Sequence, residues 1–440
     1  TMISVLANST YRKLFLAQVI SLIGTGLGTV ALGLLAYDLA GEHAGAVLGT
    51  AFAIKMLAYV GLAPIVGAFA DVLPRKTMLV TLDVVRVAVV IFLPFVTEIW
   101  QVYVLIFILQ SASAMFTPTF QATIPDVLPD EQDYTKALSL SRLAYDLENL
   151  ASPAIAGLLL TLMTFHNLFA GTAIGFLISA AFVVSVTLPK PKQGKRRSIY
   201  DRMTRGMRIY LSTPRLRGLL SINMAVAAAG AMVIVNTVVF VQAQFGLAET
   251  ETAFALAAFG LGSMIAALSL PTILDRYTDR AVMLVGGVIL AAGTALTALI
   301  SNFEQLLPLW FALGCGYSLA LTPSGRLLKR SVHETDRPAI FAAQFALSHA
   351  CWLITYPLAG WLGSMFGLSI VGIVLAVLAV IGVLCAITFW PKDDLEIIEH
   401  AHPELSPDHP HMAAGEFLSD HRHAHPYVID DLHFMWPHGR

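Results

Sequence analysis

The residues best able to do chemistry in this chain are ionisable groups set inside long apolar runs. Lys55, Asp83, Arg86, Arg142, Asp146, Glu148 and His349 all fall in such runs. A charge at membrane depth is costly unless paired or hydrated, which makes each a functional candidate. Asp83 and Arg86 stand three apart, and Arg142 and Asp146 four apart, so each pair shares a helix face and can neutralise itself. Helical residues turn by about 100° each, which sends Glu148 roughly 200° round from Asp146. The two carboxylates therefore cannot serve one pocket from a single helix. Asp83–Arg86 reads as an internal salt bridge, Arg142 also as a side chain snorkelling to the interface, and His349 as a packed, hydrogen-bonded residue. Lys55, Asp146 and Glu148 are the candidates for a cavity or coupling role, in which a carboxylate carries protons inward as a cation moves out.

A second group lies after Trp390. Nine of the 13 histidines fall there: His400, His402, His409, His411, His421, His423, His425, His433 and His438, interleaved with aspartates and prolines. Neutral imidazole suits Ni, Cu, Zn and Fe. Spacings such as His409-x-His411 and His421-x-His423-x-His425 let several ligands reach one ion. Residues 391–440 are too polar to bury a core and are expected to be disordered. The alternative is a solubilising, pH-sensitive tail without a metal role. Transition-metal binding by this tail is the one cofactor-like feature expected of the chain.

The elements that must position these groups follow from composition. Of 440 residues, 57% are hydrophobic and 13% charged, against roughly 25% charged in soluble domains. Mean hydropathy is +0.72. Apolar runs long enough to cross a bilayer recur twelve times, at 14–37, 45–70, 77–97, 100–120, 137–163, 168–188, 216–243, 252–274, 281–300, 304–324, 338–365 and 368–390. This predicts an all-α membrane protein of twelve transmembrane helices in two six-helix bundles, 1–188 and 216–390. The first run is too long for a signal-peptide core. A net charge of −2 rules out a strongly basic nucleic-acid binder, and Cys315, Cys351 and Cys385 form neither a disulfide scaffold nor a CxxC site.

Alternate loops carry the basic residues: Arg75 and Lys76, Lys136, Arg276 and Arg280, and Arg326, Lys329, Arg330 and Arg337. The other loops hold Glu42, Glu98, Glu249, Glu251 and Glu304 with no Lys or Arg. Positive charge collects in cytoplasmic loops, so both termini are expected inside. The basic segment 189–215 is expected to be a cytoplasmic linker near anionic headgroups. Walker, Gly-x-Ser-x-Gly and HExxH motifs are absent, so the chain is not expected to be an enzyme.

Between spans two and three the chain reads Gly67-Ala-Phe-Ala-Asp71-Val-Leu-Pro-Arg75-Lys76. This resembles the signature loop of the major facilitator superfamily, keeping Gly67, Asp71, Arg75 and Lys76, with Val72 and Pro74 where the family usually has Arg and Gly. A weaker echo sits at Asp275-Arg276 and Asp279-Arg280. A glycine there lets helices approach while the charges lock the halves together, which suits a gate. In span five, Asn149, Ser152, Pro153 and Gly157 resemble a degenerate form of the antiporter motif of drug exporters, which implies efflux. The stretch from 100 to 160 resembles the branch that includes siderophore and macrolide exporters. The His-rich C-terminus resembles those of nickel-resistance exporters of the same superfamily.

The resemblance and the residues together imply a monomeric secondary transporter of a bacterial inner membrane, working by alternating access. Its first expected activity is proton-coupled efflux of a divalent, nickel-like metal. The alternative is export of hydrophobic drugs or siderophores, and a third reading is a metal sensor that does not transport. Its partners are the bilayer, protons and a small solute or metal ion.

Overall fold

Long uninterrupted helices are what lipid demands of a spanning chain, because every backbone N–H and C=O must be satisfied within the segment. The computed structural model describes residues 2–40, 44–69, 73–190, 198–402, 405–406, 411–412, 416–419 and 422–437. Twelve long helices form the body: α1 (Ser9–Ala40), α2 (Ala44–Leu62), α4 (Arg75–Phe92), α5 (Ile99–Val127), α6 (Glu131–Leu160), α7 (His166–Val184), α9 (Pro214–Val238), α10 (Glu249–Leu274), α11 (Asp279–Leu296), α12 (Phe303–Leu321), α14 (Arg337–Pro357) and α16 (Leu368–Phe389). Shorter helices join them: α3 (Val66–Phe69), α8 (Ile199–Ser212), α13 (Ser324–Arg330) and α15 (Gly363–Phe366). Among the described residues, ten of the long helices are apolar enough to cross a membrane on length and composition. The other two are α2, with a shorter apolar stretch over Thr50–Ile65, and α6, whose first half carries the charges discussed below.

Helix pairing in the first six long helices repeats in the last six. α1 packs on α7 as α9 packs on α16, α4 on α7 as α11 on α16, and α2 on α5 as α10 on α12. The halves meet along α2 against α14 and α6 against α10, which are again equivalent pairs. Two glycines set one of these crossings. A Cβ on Gly262 of α10 would lie 2.1 Å from the Phe311 carbonyl oxygen, and one on Gly314 of α12 would lie 1.9 Å from that of Phe259. Small residues are how membrane helices gain close packing without a hydrophobic driving force.

Two expectations are corrected. The segment 189–215 is more than a loop at the lipid surface: residues 191–197 lie outside the described set, but Ser198 caps α8, whose Arg205, Gly206, Ile209 and Tyr210 are buried. Tyr210 donates to Gln344 of α14, and Gly206 sits against the Ala339 backbone. One face of α8 packs on α14, while Ile199, Tyr200 and Leu211 stay exposed.

The tail expected to be disordered instead forms an antiparallel sheet of order β1–β3–β2, with β1 Ile397–Ala401, β2 Glu416–Ser419 and β3 Arg422–Pro426. Ile398 faces His425 and His400 faces His423 in its register. The core is made of imidazoles, with His402, His423, His425 and His433 buried beside Tyr427, Val428 and Ile429. A composition rule that counts histidine as polar misses a core built from neutral rings.

Candidate functional site

The gate motif falls where two helix ends meet. Gly67 lies in α3, Asp71 lies outside the described residues, and Arg75 and Lys76 open α4. Arg75 is buried and ion-paired with Asp126 near the end of α5. Asp126 is also ion-paired with Arg337, the first residue of α14 in the other half. Lys76 donates to the Val186 carbonyl at 3.0 Å.

The second half repeats this arrangement with the signs exchanged. Asp279, the first residue of α11, lies 3.0 Å from Arg326 and 3.6 Å from Arg330. Arg326 then crosses to the first half, 2.8 Å from Glu131 and 2.7 Å from the Thr135 hydroxyl. Lys329 adds a 2.7 Å bond to the Pro129 carbonyl. The end that carries the basic loops is thus closed between the halves. Beside it lies a cavity of ≈ 320 Å³ lined by Arg75, Asp126, Lys190, Lys329, Glu334 and Arg337. Sequence reasoning had Arg326 and Arg337 only as topology-setting charges and did not single out Asp126; its place one residue after Pro125, at the end of a span, was the available signal.

Deeper in the body the expected charges separate by role. Asp83 pairs with Arg86 and accepts from Ser179 at 2.9 Å, while the Arg86 guanidinium lies between the Phe116 and Phe176 rings at 4.0 and 4.2 Å. Both charges are buried, as an internal strut requires. Arg142 holds Asp146 at 2.5 Å and faces the Tyr317 ring of α12, 5.3 Å away, so this pair meets the other half rather than the interface. Glu148 points elsewhere, as helix geometry demands. A Cβ on Gly26 of α1 would lie 2.9 Å from a Glu148 oxygen and 2.2 Å from the Ser152 side chain. Ser152 is buried there. Asn149, Pro153 and Gly157 lie on the same helix, with their side chains outside the described set.

Tyr59 of α2 links the remaining two. Its ring lies 5.4 Å from Lys55 Nζ and 4.8 Å from the His349 ring of α14, and its hydroxyl donates to Gln110 at 3.0 Å. His349 donates through Nδ1 to the Phe345 carbonyl at 2.7 Å. Tyr59 itself was not anticipated, since an aromatic residue in an apolar run carries no distinctive signal.

The densest set of ligand atoms is in the tail. His411, His423 and His425 lie together with His400, His402 and His433, whereas His409 and His421 lie outside the described residues. Nε2 of His433 lies 3.0 Å from that of His400 and 3.2 Å from that of His402. His423 reaches His400 at 3.1 Å, and His425 reaches His411 at 3.3 Å. Ligand atoms of His400, His411, His425 and His433 all lie within 4.8 Å of one another.

The other ring nitrogens fix what these atoms can do. Nδ1 of His400 faces the Ile398 carbonyl at 2.9 Å, that of His425 the Pro426 carbonyl at 2.8 Å, and that of His433 Asp430 Oδ1 at 2.9 Å. These oxygens only accept, so each Nδ1 carries a proton, and in its neutral form each ring presents its Nε2 lone pair to the shared centre. In that form His400 and His433 face each other lone pair to lone pair, a contact that a cation between them would relieve. With metal–nitrogen bonds of about 2.0–2.1 Å, ligand nitrogens of a tetrahedral site stand roughly 3.3 Å apart; the His400–His433 and His411–His425 pairs lie near that spacing, and the set as a whole spans up to 4.8 Å. Burial, with repulsion from neighbouring rings, lowers the pKa of both His400 and His411 to about 4, so both are neutral near pH 7. Among the described residues, groups of three or more such convergent ligands occur only in this tail.

The sequence profile of the Major Facilitator Superfamily matches residues 14–235 and 219–407. The chain belongs to that family. That family is one of membrane transporters, and ten helices among the described residues are apolar enough to cross a membrane. The chain is 29% identical over 202 residues to the uncharacterized MFS-type transporter YfiS of Bacillus subtilis, covering 43% of this chain and 47% of that one. It is 29% identical over 149 residues to macrolide efflux protein A of Streptococcus pyogenes, covering 33% and 36%. The matched region thus spans less than half the length of these relatives. In fold it resembles the crystal structure of a bacterial homologue of the iron transporter ferroportin in an outward-facing state, with a TM-score of 0.70 at 14% identity, covering 86% of this chain and 99% of that one.

Proposed function

We infer that this family member is a proton-coupled exporter of a divalent transition metal, nickel-like in its preference for imidazole, working by alternating access in a bacterial inner membrane with its basic end in the cytoplasm. The observation that carries the reading is the convergent set of neutral imidazoles docked at the basic end, where an exporter meets its cargo. The gate of Arg75, Asp126, Arg337, Arg326 and Glu131 would open to admit the ion, and Glu148 or Asp146 would exchange it for a proton. The chain is taken to act as a monomer. In the test, cells with and without the gene are loaded with nickel or zinc and their metal content is followed. Lower content in expressing cells is expected, and equal content would overturn the metal reading.

A second reading is favoured by the relatives. Macrolide efflux protein A is named for an antibiotic cargo, and the seam between the halves here is lined by the aromatic rings of Tyr59, Phe345 and Tyr317, with no convergent metal ligands there among the described residues. Deleting residues 400–440 separates the two, since export of a hydrophobic drug should survive the deletion while metal export should fall.

A further inference from the structure

The histidine sheet does not hang free of the transporter body; it is fastened to the segment that closes the gate. His433 donates Nδ1–H to Asp430 Oδ1 at 2.9 Å, and the other oxygen of Asp430 lies 3.1 Å from Nε2 of His333. Backbone N–H groups of Leu432 and His433 donate to the same Asp430 at 2.8 and 2.9 Å and hold it in place. His333 stands four residues before Arg337, the residue that reaches across to Asp126. The neighbouring Asp431 lies 3.1 Å from Arg205, which also grips Asp336 at 2.9 Å. Two acidic residues of the tail thus hold the loop Ser331–Arg337, one directly and one through the linker helix α8.

The first of these links has the form of an outer-shell metal partner: a ligating imidazole that donates its second N–H to a carboxylate. When a cation takes the Nε2 lone pair of His433, its Nδ1–H becomes more acidic and its bond to Asp430 strengthens. Asp430 is then held more firmly, and so is its contact with His333.

We propose that His400, His411, His425 and His433 form a resident site for a first-row divalent cation, and that its occupancy, passed through His433–Asp430–His333 and Asp431–Arg205–Asp336, clasps the loop Ser331–Arg337 and holds the gate closed. The proposal rests on the reading of the cluster as a metal site but not on metal being the cargo, since a clasp of this kind can regulate export of any solute. Coupling between the two places is reciprocal, so a closed gate must tighten the metal site by the same factor.

The test uses the full chain in lipid nanodiscs with Ni²⁺ alone as the probe. Amide hydrogen exchange is followed in two segments, the sheet (397–401 and 422–426) and the gate loop (331–337), with bound nickel counted by elemental analysis. In the unaltered protein Ni²⁺ should slow exchange in both segments, by about tenfold in the loop. In His333→Ala/Asp431→Asn, which leaves every proposed ligand in place, Ni²⁺ should still bind with the same stoichiometry and slow exchange in the sheet, while the loop no longer responds. Nickel bound with no change in the loop of the unaltered protein overturns the clasp and leaves the metal site standing. A loop still protected in the double variant also overturns it. No bound nickel at all overturns the metal site itself, and with it the reading on which the clasp rests.

Discussion

Asp126 of α5 and Arg337 of α14 are ion-paired across the two halves of the molecule, and each carboxylate oxygen has its own cation, Arg337 on Oδ1 and Arg75 on Oδ2. One half-buried aspartate of the fourth long helix therefore ties the third, through Arg75, to the eleventh, through Arg337. Removing one partner of a buried pair typically costs about 3–5 kcal/mol, because the other charge is left uncompensated.

Asp126→Asn should therefore loosen the closed end. A cysteine introduced at Ala122, buried behind Arg75, in a background with Cys315, Cys351 and Cys385 replaced by serine, reports on opening of the closed end. Its labelling rate in Asp126→Asn should rise at least tenfold, which needs only about 1.4 kcal/mol of the lost interaction. The remaining crossing contacts, Arg326–Glu131 and Lys329–Pro129, set how far the rise can go. An unchanged rate would mean that those contacts alone hold the gate.

The Asp83–Arg86 pair predicts a different outcome. It lies within one half, sealed by Phe116 and Phe176, and touches nothing that must move. Asp83→Asn strands the Arg86 charge and should lower thermal stability in detergent by the equivalent of about 3–5 kcal/mol. Asp83→Leu/Arg86→Met removes both charges at similar volume and should recover most of that loss together with transport. If the double variant folds but transports nothing, the pair is part of the transport path and not a strut.

How far the chain reveals itself depends on which solvent surrounds a segment. Lipid imposes one secondary structure and one length, so the twelve long helices were readable from apolar runs alone, and Arg75 and Lys76 from the motif that holds them. The partners of those residues were not readable. Asp126 and Arg326 acquire their meaning from helices far away in sequence, and no local spacing encodes the exchange of signs between the halves. The tail was misread for a physical reason. His400, His423 and His433 count as polar in any composition, yet their rings pack at 4.6–4.8 Å, much as aromatic residues do. The charges of α6 fall between these cases, since their divergence follows from helix geometry while their neighbours Tyr317 and Gly26 do not.

The same histidines give the tail a pH dependence. In metal-free protein the folded pKa of His400 and of His411 is about 4, below the ordinary 6.5. The unfolded tail therefore binds protons first, so the sheet keeps its full stability above pH 6.5 and loses it as pH falls toward 4. Asp430, whose hydrogen bonds from His333 and His433 hold its pKa below the ordinary range, stays charged throughout this window. With a chelator present, limited proteolysis within residues 397–426 should accelerate between pH 6.5 and 4.5 while the helical body stays intact. Added Ni²⁺ should shift the onset to lower pH, because the ion competes with protons for the same nitrogens. A cleavage rate flat across this range would contradict the packed sheet.

The two carboxylates of α6 should behave differently when neutralised. Asp146 is committed to Arg142, and its loss leaves a buried cation beside Tyr317, so Asp146→Asn is expected to cost stability as well as transport. Among the described residues no ion pair holds Glu148, which is half-buried and faces Gly26 and Ser152 on the α1 side. A carboxylate in that position can lose and regain a proton without unlocking a structural contact. In proteoliposomes, Glu148→Gln should abolish solute accumulation driven by a pH gradient and leave exchange of solute across an ungradiented membrane within about threefold of the unaltered rate, a change of under about 0.7 kcal/mol in the barrier. Asp146→Asn should depress both modes together. If Glu148→Gln retains gradient-driven accumulation, proton coupling does not pass through this residue, and the divergence of the two side chains serves packing of α1 on α6 alone.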